Sequence, residues 1–142
     1  MALLQEELEQ AAKNVEEINN VKDLQNHLIT LSLQKLEFKG EQYHKFIPQG
    51  TADVARIQVT KANLQYLHNQ AVKLNAPADF VKIIDKWKQG DFSDMLNDYA
   101  LIREVKPEES AAIKMRTEEE EQEYIKHFFG DKGLEIHNRD WK

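Results

Sequence analysis

An all-α fold, a small domain of about five helices led by a long amphipathic one, follows from three observations. Apolar residues recur at helical spacing through most of the chain, as Leu4, Leu8, Ala11, Val15 and Ile18 do near the start and Phe80, Ile83, Ile84 and Trp87 do in the middle. These runs are bounded by residues that start or stop helices, among them Thr60, Gly90, Pro107 and Thr117. Strand-like alternation is confined to two short stretches, 55–59 and 134–137.

From Ala2 to Phe38 there is neither proline nor glycine, and Leu4, Leu8, Ala11, Val15 and Ile18 follow the four-three spacing of an amphipathic seam. The register then slips. Continued spacing would put Lys22 in the seam, yet the apolar residues are Val21, Leu24, Leu28 and Leu31, with Asn19 and Asn20 at the slip. Two readings fit: one long helix with an overwound point, or two helices separated near Asn19. An unbroken helix would run about 55 Å, whereas a compact domain of this length is about 37 Å across, so part of it must protrude or bend. A protruding stripe of Leu4, Leu8, Val15 and Ile18 would seek a partner, most simply a second copy. The chain thus divides into a self-associating helical segment, 1–26, a helical domain, 27–130, and a polar tail, 131–142, expected to fray.

Gly40, Pro48 and Gly50 mark residues 39–60 as a connection. The alternating stretches 55–59 and 134–137 could pair as a minor ribbon. Two extended segments lying on the helices through Ile57, Val59, Leu134 and Ile136 are favoured, because isolated ribbons are marginal. Thr60 is suited to cap a helix reaching Leu74, with Leu64, Leu67, Ala71 and Leu74 on one face. Asn75, Ala76 and Pro77 introduce the next, which carries Trp87 and ends at Gly90. Asp91 or Ser93 caps its successor, bearing Phe92, Met95, Leu96, Tyr99, Ile102 and Val105 before Pro107. These two are expected to form a tight antiparallel pair. The last helix opens with a capping-box pattern from Thr117 to Glu120, continues through Tyr124, Ile125, Phe128 and Phe129, and stops at Gly130.

With 142 residues, the chain suits one domain able to bury a core without cross-links. It lacks cysteine, which excludes disulfides, thiolate metal sites and a cysteine nucleophile. Its 25 acidic residues against 19 Lys and Arg give a net charge of −6, a field that repels a phosphate backbone, so no nucleic acid is expected. The start turns acidic at Glu6 and Glu7, unlike a signal peptide, and no run reaches the ~18 apolar residues of a spanning helix. No membrane insertion is expected, and the chain as given reads as soluble and cytoplasmic, or as anchored or exported if a leader precedes it.

Signals of chemistry are sparse. The acidic run Glu118 to Glu121 reads as a first helical turn stabilised by the helix dipole rather than a cation site, since hard cations need ligands converging from more than one segment. The five histidines, His27, His44, His68, His127 and His137, form no zinc-type pair, and Glu123 with His127 suggests a surface ion pair. No metal, cofactor or catalytic residue is assigned. Phosphate-cradling loops, dinucleotide fingerprints and nucleophile elbows are missing, although an acid-base pair could assemble in space from Asp98, His68 or Glu104. The aromatic residues Trp87, Phe92, Tyr99, Tyr124, Phe128 and Phe129 have core spacing. Trp141, beyond the final helix, is a contact candidate unless the tail folds back.

Two functional readings follow. The first is a non-enzymatic protein-protein interaction or regulatory module, a homo-oligomer or the holder of a protein partner, acting through Leu4, Leu8, Val15, Ile18 and Trp141. The alternative is a small ligand-binding protein or enzyme with its site in the connection from Gly40 to Thr60, where Tyr43, His44, Lys45 and Arg56 gather near Phe46 and Ile47.

The order Trp87-Lys88-Gln89-Gly90-Asp91-Phe92-Ser93, then Asp98, then Glu119-Glu120-Glu121 followed by Tyr124, Ile125 and Phe128, resembles a family of uncharacterised helical domains from Bacillus-type bacteria. Leu33-Gln34-Lys35-Leu36 is similar to that family's Gln-Lys step, and the likeness extends over about residues 28–130. The chain departs from the family by having Tyr99-Ala100 in place of His-Asn, and 107–116 in place of a Gly-Thr-x-Gly-Lys-Ala segment. The resemblance implies a bacterial helical domain with no assigned activity, in a family whose members often follow a membrane anchor.

Overall fold

The first helical run breaks where the register slips. In a computed structural model of the protein, which describes residues 5–38, 42–44, 47–48, 55–104 and 113–142, α1 spans Gln5–Val15 and α2 spans Val21–Ser32. Glu16 turns the chain with a φ of 70°. Asn20, in extended backbone, starts α2 by accepting the Asp23 amide on Oδ1 at 2.9 Å. The His27 ring lies 2.6 Å from the Asp23 carbonyl and 3.0 Å from that of Val15, so it ties the end of α1 to the start of α2. Of the two readings of this region, the structure takes two helices.

That bend changes the fate of the leading stripe. α1 lies against α3 (Lys61–Lys73), and Ala11, Val15 and Ile18 are buried, while Leu8 is half-buried and Leu4 lies outside the described residues. The apolar groups expected to protrude are therefore covered within the chain from Ala11 onward.

Local signals place the middle helices. Thr60 Oγ1 accepts the Asn63 amide at 3.0 Å and opens α3. α3 closes with Asn75 at a φ of 53° and the Ala76 amide on the Ala71 carbonyl at 3.0 Å. α4 (Ala78–Lys88) closes the same way through Gly90 at a φ of 83°, with the Asp91 amide on Lys86 and the Gly90 amide on Trp87. Asp91 then accepts Ser93 on Oδ1 through its amide (3.1 Å) and hydroxyl (2.6 Å), shaping a short turn before α5 (Met95–Arg103).

The expected antiparallel pairing of α4 with α5 is not what forms. α4 packs along α3 and α5 along α2. The two meet at a corner, where buried Asp98 accepts Trp87 Nε1 at 3.0 Å and Lys86 Nζ at 2.8 Å. Six residues, 89–94, separate the two helices and let each pack on a different neighbour.

Two small antiparallel pairings complete the framework: β1 (Leu36–Phe38) with β4 (Ile113–Met115), and β2 (Gln42–His44) with β3 (Ile47–Pro48). In the first, Glu37 faces Lys114, and their side chains pair at 2.9 Å. The ribbon considered between 55–59 and 134–137 does not exist, because 134–137 is helical. α6 (Glu118–Trp141) starts with the expected capping box, the Glu120 amide on Thr117 Oγ1 at 3.1 Å and the Thr117 amide on Glu120 Oε1 at 2.8 Å. Gly130 breaks it with a φ of 71° and a ψ of −166°, beyond the reach of most side chains, and the chain then re-enters helix to Trp141.

The expected polar tail is thus a packed closing half of α6. Gly133, His137 and Asp140 are buried, and a Cβ on Gly133 would collide with Phe129 Cβ. The interior is filled by Trp87, Tyr99, Tyr124, Leu24, Leu28, Leu31, Leu64, Leu67, Ile84 and Ile102, all fully buried. Each such side chain contributes about 1.5–3 kcal/mol of transfer free energy.

Candidate functional site

A cavity of about 570 Å³ lies where α1, residues 55–63 and the closing half of α6 meet. α1 contributes Glu7, Gln10, Ala11 and Asn14, whose three-four spacing puts them on one helical face. Arg56, Ile57 and Gln58 come from the connection, Ala62 and Asn63 from the first turn of α3, and Phe129, Lys132, Gly133, Ile136 and Arg139 from α6. The lining is mixed, with an apolar part of Ala11, Ile57, Phe129 and Ile136 among amide and cationic groups.

Hydrogen bonds hold the polar walls in place. Gln58 Nε2 donates to the Gly133 carbonyl at 2.8 Å, and Asn63 Nδ2 donates to the Gln58 carbonyl at 2.8 Å. The Arg139 guanidinium bridges Glu7 Oε1 (2.9 Å) and Asp140 Oδ1 (3.0 Å), so it ties α1 to α6 and is held above its ordinary pKa, first by the Asp140 hydrogen bond. Arg56 stacks over Phe128 at 5.0 Å. Asn63 Oδ1 is buried and has no hydrogen-bond partner among the described residues. A buried amide oxygen left without a donor costs about 1–3 kcal/mol.

Of the sequence-derived site residues, Arg56 alone lines this cavity among the described residues. The backbone of Tyr43, His44 and Ile47 falls in β2 and β3, while Lys45 and Phe46 lie outside the described residues. Val15 and Ile18 belong to the core. Trp141 folds back: its Nε1 donates to the Val59 carbonyl at 2.9 Å, and its ring meets Phe92 edge-on at 5.1 Å. Asn63, Gln58 and Arg139 had no sequence signal, since their role arises only where three distant segments meet.

The acidic start of α6 also gains a partner that sequence did not suggest. Glu118, Glu121 and His137 bring ligand-type atoms within 4.8 Å of one another, from two segments rather than one. The charges are already compensated, however. Lys142 Nζ lies 2.8 Å and His137 Nε2 3.1 Å from Glu118 Oε1, while Lys35 Nζ lies 2.9 Å and Gln34 Nε2 2.7 Å from Glu121 Oε2. A cation entering here would have to displace two ammonium groups, so the donor set fits an ion-pair cluster better than a metal centre. Burial opposes the charge on Glu118, yet hydrogen bonds from Lys142, Gln122 and His137 overcome it and hold the carboxyl at about 2. Burial pushes the Tyr124 phenol up to about 12, which removes it as a proton carrier.

Among the described residues, no helix is long and apolar enough to cross a membrane. No curated protein and no solved structure matches the chain. The profile of a family of unknown function, DUF6241, does match it over residues 44–126, which takes in the Arg56-to-Asn63 wall of the cavity, the Trp87 corner and the acidic start of α6. That stretch is more than half of the chain, and the protein belongs to this family.

Proposed function

We propose that the protein is a non-enzymatic regulatory binding module of a bacterium or its phage, and that it takes a small amphiphilic organic molecule in the cavity beside Arg56. The observation that carries this reading is a cavity of about 570 Å³ whose walls combine apolar Ile57, Phe129 and Ile136 with the tethered amides of Gln58 and Asn63 and the cations Arg56 and Lys132. Its volume lies in the range of small-molecule sites, which combine apolar walls with a few fixed polar groups. A suitable ligand has an apolar body to lie on Ile57, Phe129 and Ile136, polar hydrogens or acceptors for the amide-bearing wall, and an anionic group facing Arg56 or Lys132. Glu7 and Arg139 neutralise each other in the wall, which favours binding over acid-base turnover. The bacterial source is supported by the resemblance at Trp87 to Ser93.

The alternative, a second copy or a protein partner held through Leu4, Leu8, Val15 and Ile18, has less support, because Val15 and Ile18 are already buried in the core. Native mass spectrometry of the full chain purified from its own source, followed by ligand-observed NMR with amphiphilic acids and amides, tests the proposal. Asn14→Phe, an exposed position at the cavity wall, should abolish ligand binding without lowering the melting temperature. No saturable ligand, or binding indifferent to Asn14→Phe, would overturn it.

A further inference from the structure

The closing half of α6 has a second face, and that face borders another cavity, of about 470 Å³, sharing no lining residue with the first. Its lining holds four lysines, Lys35, Lys61, Lys88 and Lys142, and no arginine, in a chain whose net charge is −6. Lys35 and Lys142 are engaged by Glu121 and Glu118. Lys61 and Lys88 have no carboxylate partner among the described residues, and Lys61 Nζ stands 5.7 Å from the Trp141 ring centre. His137, also in the lining, is 1% exposed; its Nε2 faces Glu118 and its Nδ1 has no hydrogen-bond partner among the described residues.

We infer that this cavity is an oxyanion site for the phosphate group of a small molecule. Two uncompensated ammonium groups supply the attraction, and they act as point charges, which suit a tetrahedral phosphate. A phosphate group carries a charge of about −1.5 to −2 near neutral pH, which matches two ammonium groups where a carboxylate would match one. His137 Nε2 lies 3.1 Å from Glu118 Oε1, which fixes the ring in the wall beside the two lysines. The carboxylates nearby do not repel the ligand as free charges would, since Glu118 pairs with Lys142, and Asp140 pairs with Arg139 while accepting the Lys61 amide at 2.9 Å. The volume exceeds that of a bare ion and leaves room for a short organic group.

The test is an amide NMR titration of the full chain with inorganic phosphate, glycerol phosphate and sulfate at constant ionic strength. Saturable shifts at Lys61, Lys88, Gly90 and the Trp141 indole are expected for the phosphates. The double variant Lys61→Gln, Lys88→Gln should raise the dissociation constant about tenfold or more with an unchanged melting curve. Tighter binding of glycerol phosphate identifies a phosphomonoester and equal binding identifies the free ion, and either supports the site. Non-saturating shifts, equal response to sulfate, or indifference to the double variant would overturn it. Asn14→Phe should leave this binding intact, so failure here is distinct from failure of the first cavity.

Discussion

The corner between α4 and α5 and the closing half of α6 each bury an aspartate with its partners, but they are specified in different ways. At the corner, Trp87 and Asp98 lie 11 residues apart and their bond is made within one turn of chain reversal. In the closing half, Gly133, His137 and Asp140 reach partners far away in sequence: Gln58 on the Gly133 carbonyl, Glu118 on His137, the Lys61 amide on Asp140. The first region is held by an apolar ring with a polar handle, the second by close backbone approach and charge pairing. An error in the first should therefore be felt by the whole core, and an error in the second should be confined to the segment that undocks.

Substitutions can test that contrast. Trp87→Ala removes a fully buried ring and one of the two donors to Asp98. It should cost about 3–5 kcal/mol, read as a lower denaturation midpoint and loss of amide protection across α3, α4 and α5 together.

Glu121→Ala strikes the contact that fastens α6 to the end of α2. It strands buried Lys35 and the Gln34 amide, so a loss of roughly 3 kcal/mol is expected by chemical denaturation. Glu121→Gln, which keeps a hydrogen-bond acceptor for the same donors, should recover part of it.

For Gly133→Ala the expected loss is about 1–3 kcal/mol, because the added methyl meets Phe129 Cβ and the closing half must move. Hydrogen exchange should accelerate in residues 131–141 and stay unchanged in α4. Uniform acceleration throughout would dissolve the distinction between the two regions.

The smallest effect concerns pH. Glu118 has a folded pKa of about 2 against an ordinary 4.5, so its contribution is fully present above about 4.5 and is lost as the pH falls towards 2. Its side chain is half exposed, and screening keeps the contribution small. Melting temperatures measured between those two pH values should fall slightly more steeply for the natural chain than for Glu118→Gln, and parallel curves would contradict the assignment.

Particular residues show how far sequence reasoning reaches in this protein. The caps were legible: Thr60 and Thr117 open their helices, and Gly90 closes α4, each by bonds to residues within one turn. Asn19 and Asn20 marked the break between α1 and α2, although spacing alone left a continuous helix open. The resemblance picked out Gln34, Lys35 and Glu121 separately, and the structure joins them in one buried cluster. Hidden entirely was the closing half of α6, because its buried face consists of a glycine, a histidine and an aspartate, which no hydrophobic period reveals. Leu134 and Ile136, read as strand-like alternation, are only half-buried on that helix.

What the sequence alone determined is the helical class, the start and stop of each well-capped helix, and the apolar faces of α2, α3 and α4. Those features depend on neighbours within a few residues, which the order of amino acids states directly. Only the tertiary structure decided which helix lies on which, that α1 spends its stripe inside the chain, and that two cavities flank the closing half of α6. A buried polar group is stable only opposite its partner, and with partners as distant as Gln58 and Gly133 or Glu118 and His137, that pairing exists only once the chain has folded.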